Sequence, residues 1–137
     1  MPSPQSILVA LDFSPHSYVA LEHAFALAEK FASTVQLLHV FTLQEKAEST
    51  ILTTARESEK AQLDSAANAH RGSGRLGQVL WREGDPAAQL VLVAEQEKVD
   101  LIVLGASGRT GMTRLVLGSV AESVVKNATC NVLVVRR

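Results

Sequence analysis

The 137-residue sequence lacks the residues that several kinds of chemistry require. Its one cysteine, Cys130, can form no internal disulfide and no cysteine-based metal site, as expected of a chain from a reducing compartment. The four histidines, His16, His23, His39 and His70, show no metal-ligand spacing and read as helix-surface or strand-end residues. Aromatic residues are only 4% of the chain and the basic residues are scattered rather than striped, which argues against a nucleic-acid surface. No apolar run approaches the ~20 residues of a membrane-spanning helix. The first six residues carry no basic n-region and the apolar run after them is cut at Asp12. No signal peptide is therefore expected, and the cytoplasm is the default location. The lysine of G-x-x-x-x-G-K-(S/T) is also missing, and no catalytic base stands beside an evident orienting partner.

What is present is the composition of a globular protein, 47% apolar and 20% charged. A chain of this length buries about two thirds of its unfolded surface in one core, so a single domain over residues 1–137 is expected. The net charge of −1 hides an asymmetry. Residues 1–70 hold 4 Lys/Arg against 8 Asp/Glu (−4), and residues 71–137 hold 9 against 6 (+3). A small anionic ligand near the second half suits that distribution.

Periodicity gives alternating strands and helices. Ile7 to Leu11 is a continuous apolar run closed by Asp12, the pattern of a strand buried on both faces of a parallel sheet. Ser14-Pro15 supplies an N-cap and a first-turn proline for a helix ending near Phe31, with Tyr18, Leu21, Phe25, Ala28 and Ala32 as its stripe. Thr34 to Phe41 is a second strand. Residues 47–69 form a long helix with a thin apolar set, Ile51, Leu52, Ala55, Leu63 and Ala66, and Arg71-Gly72-Ser73-Gly74 ends it. Leu76 to Trp81 is a short strand suited to a sheet edge. Gly84-Asp85-Pro86 turns into a helix capped by Asp85, with Ala87, Leu90, Val91 and Ala94 as its stripe. Val99 to Leu104 is the fourth strand. The last helix has the stripe Leu117, Val120, Ala121, Val124, Val125 and Ala128, and Asn131 to Val135 is the fifth strand. The chain is thus an α/β protein with an open parallel five-stranded sheet and helices on both faces. Periodicity leaves the strand order open between 2-1-3-4-5 and 3-2-1-4-5. In either order ligands bind beyond the carboxyl ends of the strands, at Asp12, Val40-Phe41, Gly84 and the segment after the fourth strand.

That segment is glycine-rich: Gly105, two residues, Gly108, nine residues, Gly118-Ser119. Glycines without Cβ let main-chain N–H groups converge on an anion at a helix N-terminus. The same glycines also serve tight turns and close helix-to-sheet contacts, and spacing alone does not separate the two roles. Ser107, Arg109, Thr110 and Arg114 lie inside the segment, where they can pair with phosphates or stand solvated.

The run from Val99 to Gly105 and on through Gly118-Ser119-Val120 to Val124 closely resembles the universal stress protein family. The match is to its nucleotide-binding subgroup, whose signature is G-x-x-G, nine residues, G-(S/T). The resemblance extends to Asp12-Phe13-Ser14, His39-Val40, Gly84-Asp85-Pro86 and Val132 to Val135. It implies a Rossmann-like sheet of order 3-2-1-4-5, an ATP site, and homodimers formed by antiparallel pairing of the last strands, Val132 to Val135. Carried over by position, Asp12 would lie beside the ribose or base and Val40 would meet the adenine through its main chain. Gly105, Gly108, Gly118 and Ser119 would hold the phosphates, with Ser107, Arg109 and Val120 also in the binding set. Mg²⁺ would be held chiefly by the phosphates, with Asp12 or Ser119 reaching it through water. Where the family usually has prolines around the cysteine before its last strand, this chain has Thr129 and Asn131.

The function expected is that of an ATP-binding, cytoplasmic stress-response protein with at most slow hydrolysis, a binder more than an efficient enzyme, with no membrane partner. The alternatives are a dimeric interaction module independent of nucleotide and a weak ATPase or autophosphorylating protein.

Overall fold

The computed structural model describes residues 3–43, 47–106 and 117–136. Strands β1 (Ser6–Ala10), β2 (Thr34–Phe41), β3 (Leu76–Glu83), β4 (Leu101–Gly105) and β5 (Asn131–Val135) alternate with helices α1 (Pro15–Phe31), α2 (Ser49–His70), α3 (Pro86–Gln96) and α4 (Ser119–Asn127). All strand pairs are parallel, in the order β3-β2-β1-β4-β5, which settles the choice that periodicity left open.

Local signals set the element ends. Ser14 Oγ accepts from Ser17 N–H at 3.2 Å to start α1, and Asp85 Oδ2 accepts from Ala88 N–H at 2.9 Å to start α3, each just ahead of a proline whose missing N–H costs nothing there. Gly84, at φ +134°, makes the turn into α3, a conformation that side chains rarely tolerate. β3 extends two residues beyond its expected end, to Glu83, and is an edge strand as expected. Its register against β2 shifts between Val35 and Leu37. There the Gln36 side chain fills the broken ladder, its Oε1 accepting from Gln78 N–H at 2.6 Å. Gly77 makes room for it, since a Cβ would stand 2.6 Å from that oxygen.

The period-two alternation of the buried strands divides the core. Ile7, Val9, Val35, Leu37, Leu101 and Val103 face α1 and α2, while Leu8, Leu38, Ile102 and Leu104 face α3 and α4. Helices therefore cover both faces. Their buried stripes are narrower than helical spacing suggests. Tyr18 is 39% exposed while Ser17, Ala20 and Ala24 are buried, because small side chains let α1 approach the sheet and the wide Tyr18 turns outward. On α4 only Ala121 and Val124 are buried, and Val120 and Val125 stand exposed. A helix of nine residues over the β4–β5 side of the sheet has one row of contacts to fill. Ile51, assigned to the apolar set of α2, is likewise exposed.

Candidate functional site

Strand order reverses between β1 and β4. From β1 the chain winds outward to β2 and β3, then returns to build β4 and β5 on the other side. The two crossovers diverge at this point and leave a crevice above the strand ends. A cavity of about 240 Å³ opens there. Its wall is mainly apolar, with Ala10, Leu11, Val40, Leu90, Leu104 and Ala121, and its polar groups are Asp12, Ser17, Thr42 and Ser119.

Each wall has its own origin. Asp12 stands two residues past the end of β1 and folds into an Asx turn, Oδ1 accepting from Ser14 N–H at 2.9 Å. Its own N–H donates to Ser17 Oγ at 3.3 Å. Between Asp12 and Ser14, Phe13 is held at φ +68°, a left-handed conformation costly for a bulky residue and tolerated where the surroundings fix it. Here the Asx turn and the contact of the Phe13 ring with His39, 4.5 Å between centroids, do so.

On the opposite wall, Gly118 is the N-cap of α4, with φ −63° and ψ 157° and, being glycine, no side chain of its own to cap the helix. α1 and α3 each begin with one N-terminal donor satisfied by the cap side chain, Ser17 N–H by Ser14 and Ala88 N–H by Asp85. α4 presents the first N–H groups of its axis, at Ser119 and Val120, along the cavity wall. Helix N-terminal N–H groups, which have no partner within their own helix, and the positive end of the helix dipole favour an anion. The arrangement can thus take a flat apolar group between Val40, Leu90 and Leu104 and a negative group against α4.

Of the residues singled out from the sequence, Asp12, Val40, Gly105, Gly118, Ser119 and Val120 all line this one cavity. Ser107, Gly108 and Arg109 lie outside the described residues, as do Thr110 and Arg114. Gly105 has a second reason to be glycine. A Cβ on it would stand 2.9 Å from the His16 carbonyl carbon and oxygen, so α1 crosses β4 at a distance that excludes any side chain. Its φ is not in the left-handed region; the need here is for space, not for an unusual turn. Ser17, Thr42, Pro86 and Leu90 were not expected in the wall. Thr42 was within reach of the sequence, being the first residue past β2, whereas Pro86 and Leu90 are brought in by the path of α3 over the sheet.

The structure sharpens the reading of the histidines. His39, near the end of β2, is 1% exposed. His39 Nδ1 lies 2.7 Å from the Leu11 carbonyl and Nε2 lies 2.8 Å from Glu59 Oε1. His70 stacks on Phe25 at 4.0 Å between centroids and meets Glu22 at 3.0 Å. Cys130 packs half-buried against the α3/α4 core, and burial pushes its thiol pKa up, away from the reactive thiolate. On the β3 side, Arg56 makes two 3.0 Å hydrogen bonds to the Glu83 carboxylate and Trp81 Nε1–H adds a third at 3.1 Å. These bonds, Arg56 first, hold the Glu83 carboxyl below its ordinary range.

No group of three or more His, Cys, Asp or Glu among the described residues is placed to hold a metal ion. No helix among them is long and apolar enough to cross a membrane.

Comparison with known proteins gives the architecture a family. The YxiE universal stress protein of Bacillus subtilis is 29% identical over 144 residues, covering 95% of this chain and 97% of that protein. A shorter stretch of 55 residues is 58% identical to the universal stress protein MJ0531 of Methanocaldococcus jannaschii; it spans 40% of this chain and only 32% of that relative. Among solved structures, the MJ0577 protein, from the same archaeon, superposes with a TM-score of 0.86 at 31% identity over 99% of this chain and 98% of that one. A universal stress protein of Archaeoglobus fulgidus solved in complex with dAMP shares the fold, with a TM-score of 0.68 at 24% identity over 97% and 98%. A sequence model of the universal stress protein family matches residues 4–136. The chain belongs to the universal stress protein family.

Proposed function

We propose that this protein binds an adenine nucleotide, ATP above all, in the cavity above β1, β2 and β4, and acts as a nucleotide-dependent stress-response protein. The observation that carries the reading is the uncapped N-terminus of α4 on the wall of a mainly apolar cavity, at the point where strand order reverses. An adenine has the flat apolar faces that Val40, Leu90 and Leu104 would cover, and Asp12 stands where a ribose hydroxyl would seek an acceptor. Gly105, Gly118, Ser119 and Val120 take the phosphate end in this reading, together with Ser107, Gly108 and Arg109 of the signature. Three or four charge-assisted hydrogen bonds at roughly 1.5–3 kcal/mol each suffice for a micromolar site after the entropic cost of binding. The dAMP complex of the Archaeoglobus fulgidus protein is one case of this fold holding an adenine nucleotide.

Mg²⁺ fits the site as a companion of the phosphates, where it would neutralise their charge. Asp12 and Ser119 are the oxygen-bearing residues of the wall that would reach it through water. Storage or sensing suits the site better than turnover: its acidic residue, Asp12, already accepts from Ser14 N–H, and among the described residues no histidine, lysine or second carboxylate lines the cavity beside it.

A homodimer completes the proposal. β5 ends the sheet and is apolar from Val132 to Val135, with Leu133 37% exposed. It pairs with β4 in even register, whereas the other edge, β3, carries the irregularity at Val35/Leu37. A flat apolar edge without a bulge invites a second strand.

Purified protein is denatured and the released material identified, and Mg-ATP is titrated into nucleotide-free protein by calorimetry. Released adenine nucleotide or micromolar affinity is expected; the absence of both would leave the dimeric interaction module as the better account.

A further inference from the structure

β1 and β2 pair in register from Ser6↔Thr34 to Ala10↔Leu38. Their last rung is the Leu11 N–H on the Leu38 carbonyl, 2.8 Å. In a parallel ladder the next rung would run from Val40 N–H back to the Leu11 carbonyl. A side chain takes that acceptor instead: His39 Nδ1 approaches it to 2.7 Å. A carbonyl can only accept, so Nδ1 carries the proton. The ring is held in place from every side, by Glu59 Oε1 of α2 on Nε2 at 2.8 Å, by Phe13 at 4.5 Å and by Trp81 at 5.3 Å between centroids.

The consequence crosses the sheet. His39 points toward α2, while its neighbour Val40 lines the cavity on the α3/α4 face. Main-chain groups of alternate residues point to alternate sides of a strand. Leu38 gives its carbonyl to β1, so the N–H and C=O of Val40 also point toward β1, beyond the residue where β1 pairing stops. A donor and an acceptor side by side on one edge are the complement of the ring nitrogen and amino group of an adenine.

We infer that His39 is a positioning residue for the base end of the site: by occupying the Leu11 carbonyl it stops the β1–β2 ladder one rung early and keeps the Val40 main-chain edge for the ligand. Glu59 sets the ring for this task, and the left-handed Phe13 closes over it. The inference rests on the nucleotide reading and adds the residue that prepares one of its walls.

The test compares His39→Leu, His39→Asn and the unaltered protein. Leu fills the space without a donor. Asn Nδ2 overlays the position of Nδ1 and can still donate to Leu11. ATP and inorganic tripolyphosphate are titrated separately by calorimetry, and exchange of the Val40 amide proton is followed by NMR in the free proteins. For His39→Leu, ATP affinity is expected to fall about tenfold or more, the effect of one or two lost hydrogen bonds. Tripolyphosphate affinity should stay unchanged, and Val40 exchange should slow as the ladder closes. His39→Asn should bind ATP within about threefold of the unaltered protein, as the loss of the Glu59 contact alone leaves the Leu11 bond in place. If His39→Leu fails to fold, the Asn variant decides: a folded Asn variant with ATP affinity lost as deeply as expected for Leu would overturn the inference. So would a His39→Leu protein that binds ATP as well as the original, or that loses ATP and tripolyphosphate in parallel. Failure of the unaltered protein to bind ATP would remove the nucleotide reading itself, whereas ATP binding that is indifferent to His39 removes only this inference.

Discussion

Gly118 N–H donates to the carbonyl of Ala106 at 2.7 Å, so the chain returns to the rim of the cavity at the point where it left β4. The hydrogen bond ties the start of α4 to the end of β4. It thereby fixes the uncapped helix end relative to Asp12 across the crevice.

Replacing Gly118 by valine tests that wall. The φ and ψ of Gly118 lie in the extended region open to any residue, so the variant should fold, with a stability change of about 1 kcal/mol for a poorer N-cap. ATP binding should disappear in calorimetry, because a branched side chain then stands beside the Ser119 N–H. Unchanged ATP affinity in a folded Gly118→Val protein would exclude the α4 terminus from the site.

Gly105→Ala should act chiefly on stability. The added methyl would stand 2.9 Å from main-chain atoms of His16, which cannot rotate away, so overpacking of about 1–3 kcal/mol is expected. Urea unfolding measures it. A neutral alanine would mean that α1 can lift off β4 without cost.

Assembly is checked by light scattering. At micromolar concentration the mass should be roughly twice the 14.7 kDa of one chain, and Leu133→Lys should shift it toward the monomer, because a charge on an exposed apolar edge opposes strand pairing. A monomeric mass for the unaltered protein would refute the dimer.

The Glu83 carboxyl is held low, first by the Arg56 hydrogen bonds and then by Trp81 Nε1–H. A lowered carboxyl stabilises the fold above its unfolded value, near pH 4.5, and that contribution is lost as pH falls through the folded value. Both side chains are about a third exposed, 32% and 33%, so solvent screening keeps the effect small. The stability gap between the original and Glu83→Gln should therefore be widest at pH 7 and narrow toward pH 3. A gap that is constant with pH would show that the pairing is not electrostatic.

Much of the fold was legible in the residues. Ser14-Pro15 and Gly84-Asp85-Pro86 mark helix starts because capping and proline geometry are local, and both ends of α1 and β5 and the start of α3 lie where they were expected. The helix stripes were less legible. Tyr18, Val120 and Val125 have the spacing of a buried face but lie outside it, since the sheet decides which row of a helix touches it. Asp12, Val40 and Gly118 could be named from strand ends and glycine spacing. His39 could not, because its partners, the Leu11 carbonyl and Glu59, are 28 and 20 residues away.

By itself, the sequence determined the alternation of strands and helices, the caps, and the glycine-rich segment after β4, all of which depend on residues within a few positions of one another. The strand order, which the family resemblance implied and periodicity left open, is fixed by the tertiary structure, and only the tertiary structure decided the meeting of Asp12, Val40 and Gly118 around one cavity and the capture of the Leu11 carbonyl by His39. Those depend on contacts between segments far apart in the chain, whose geometry exists only once the sheet has assembled and the helices have packed on both of its faces.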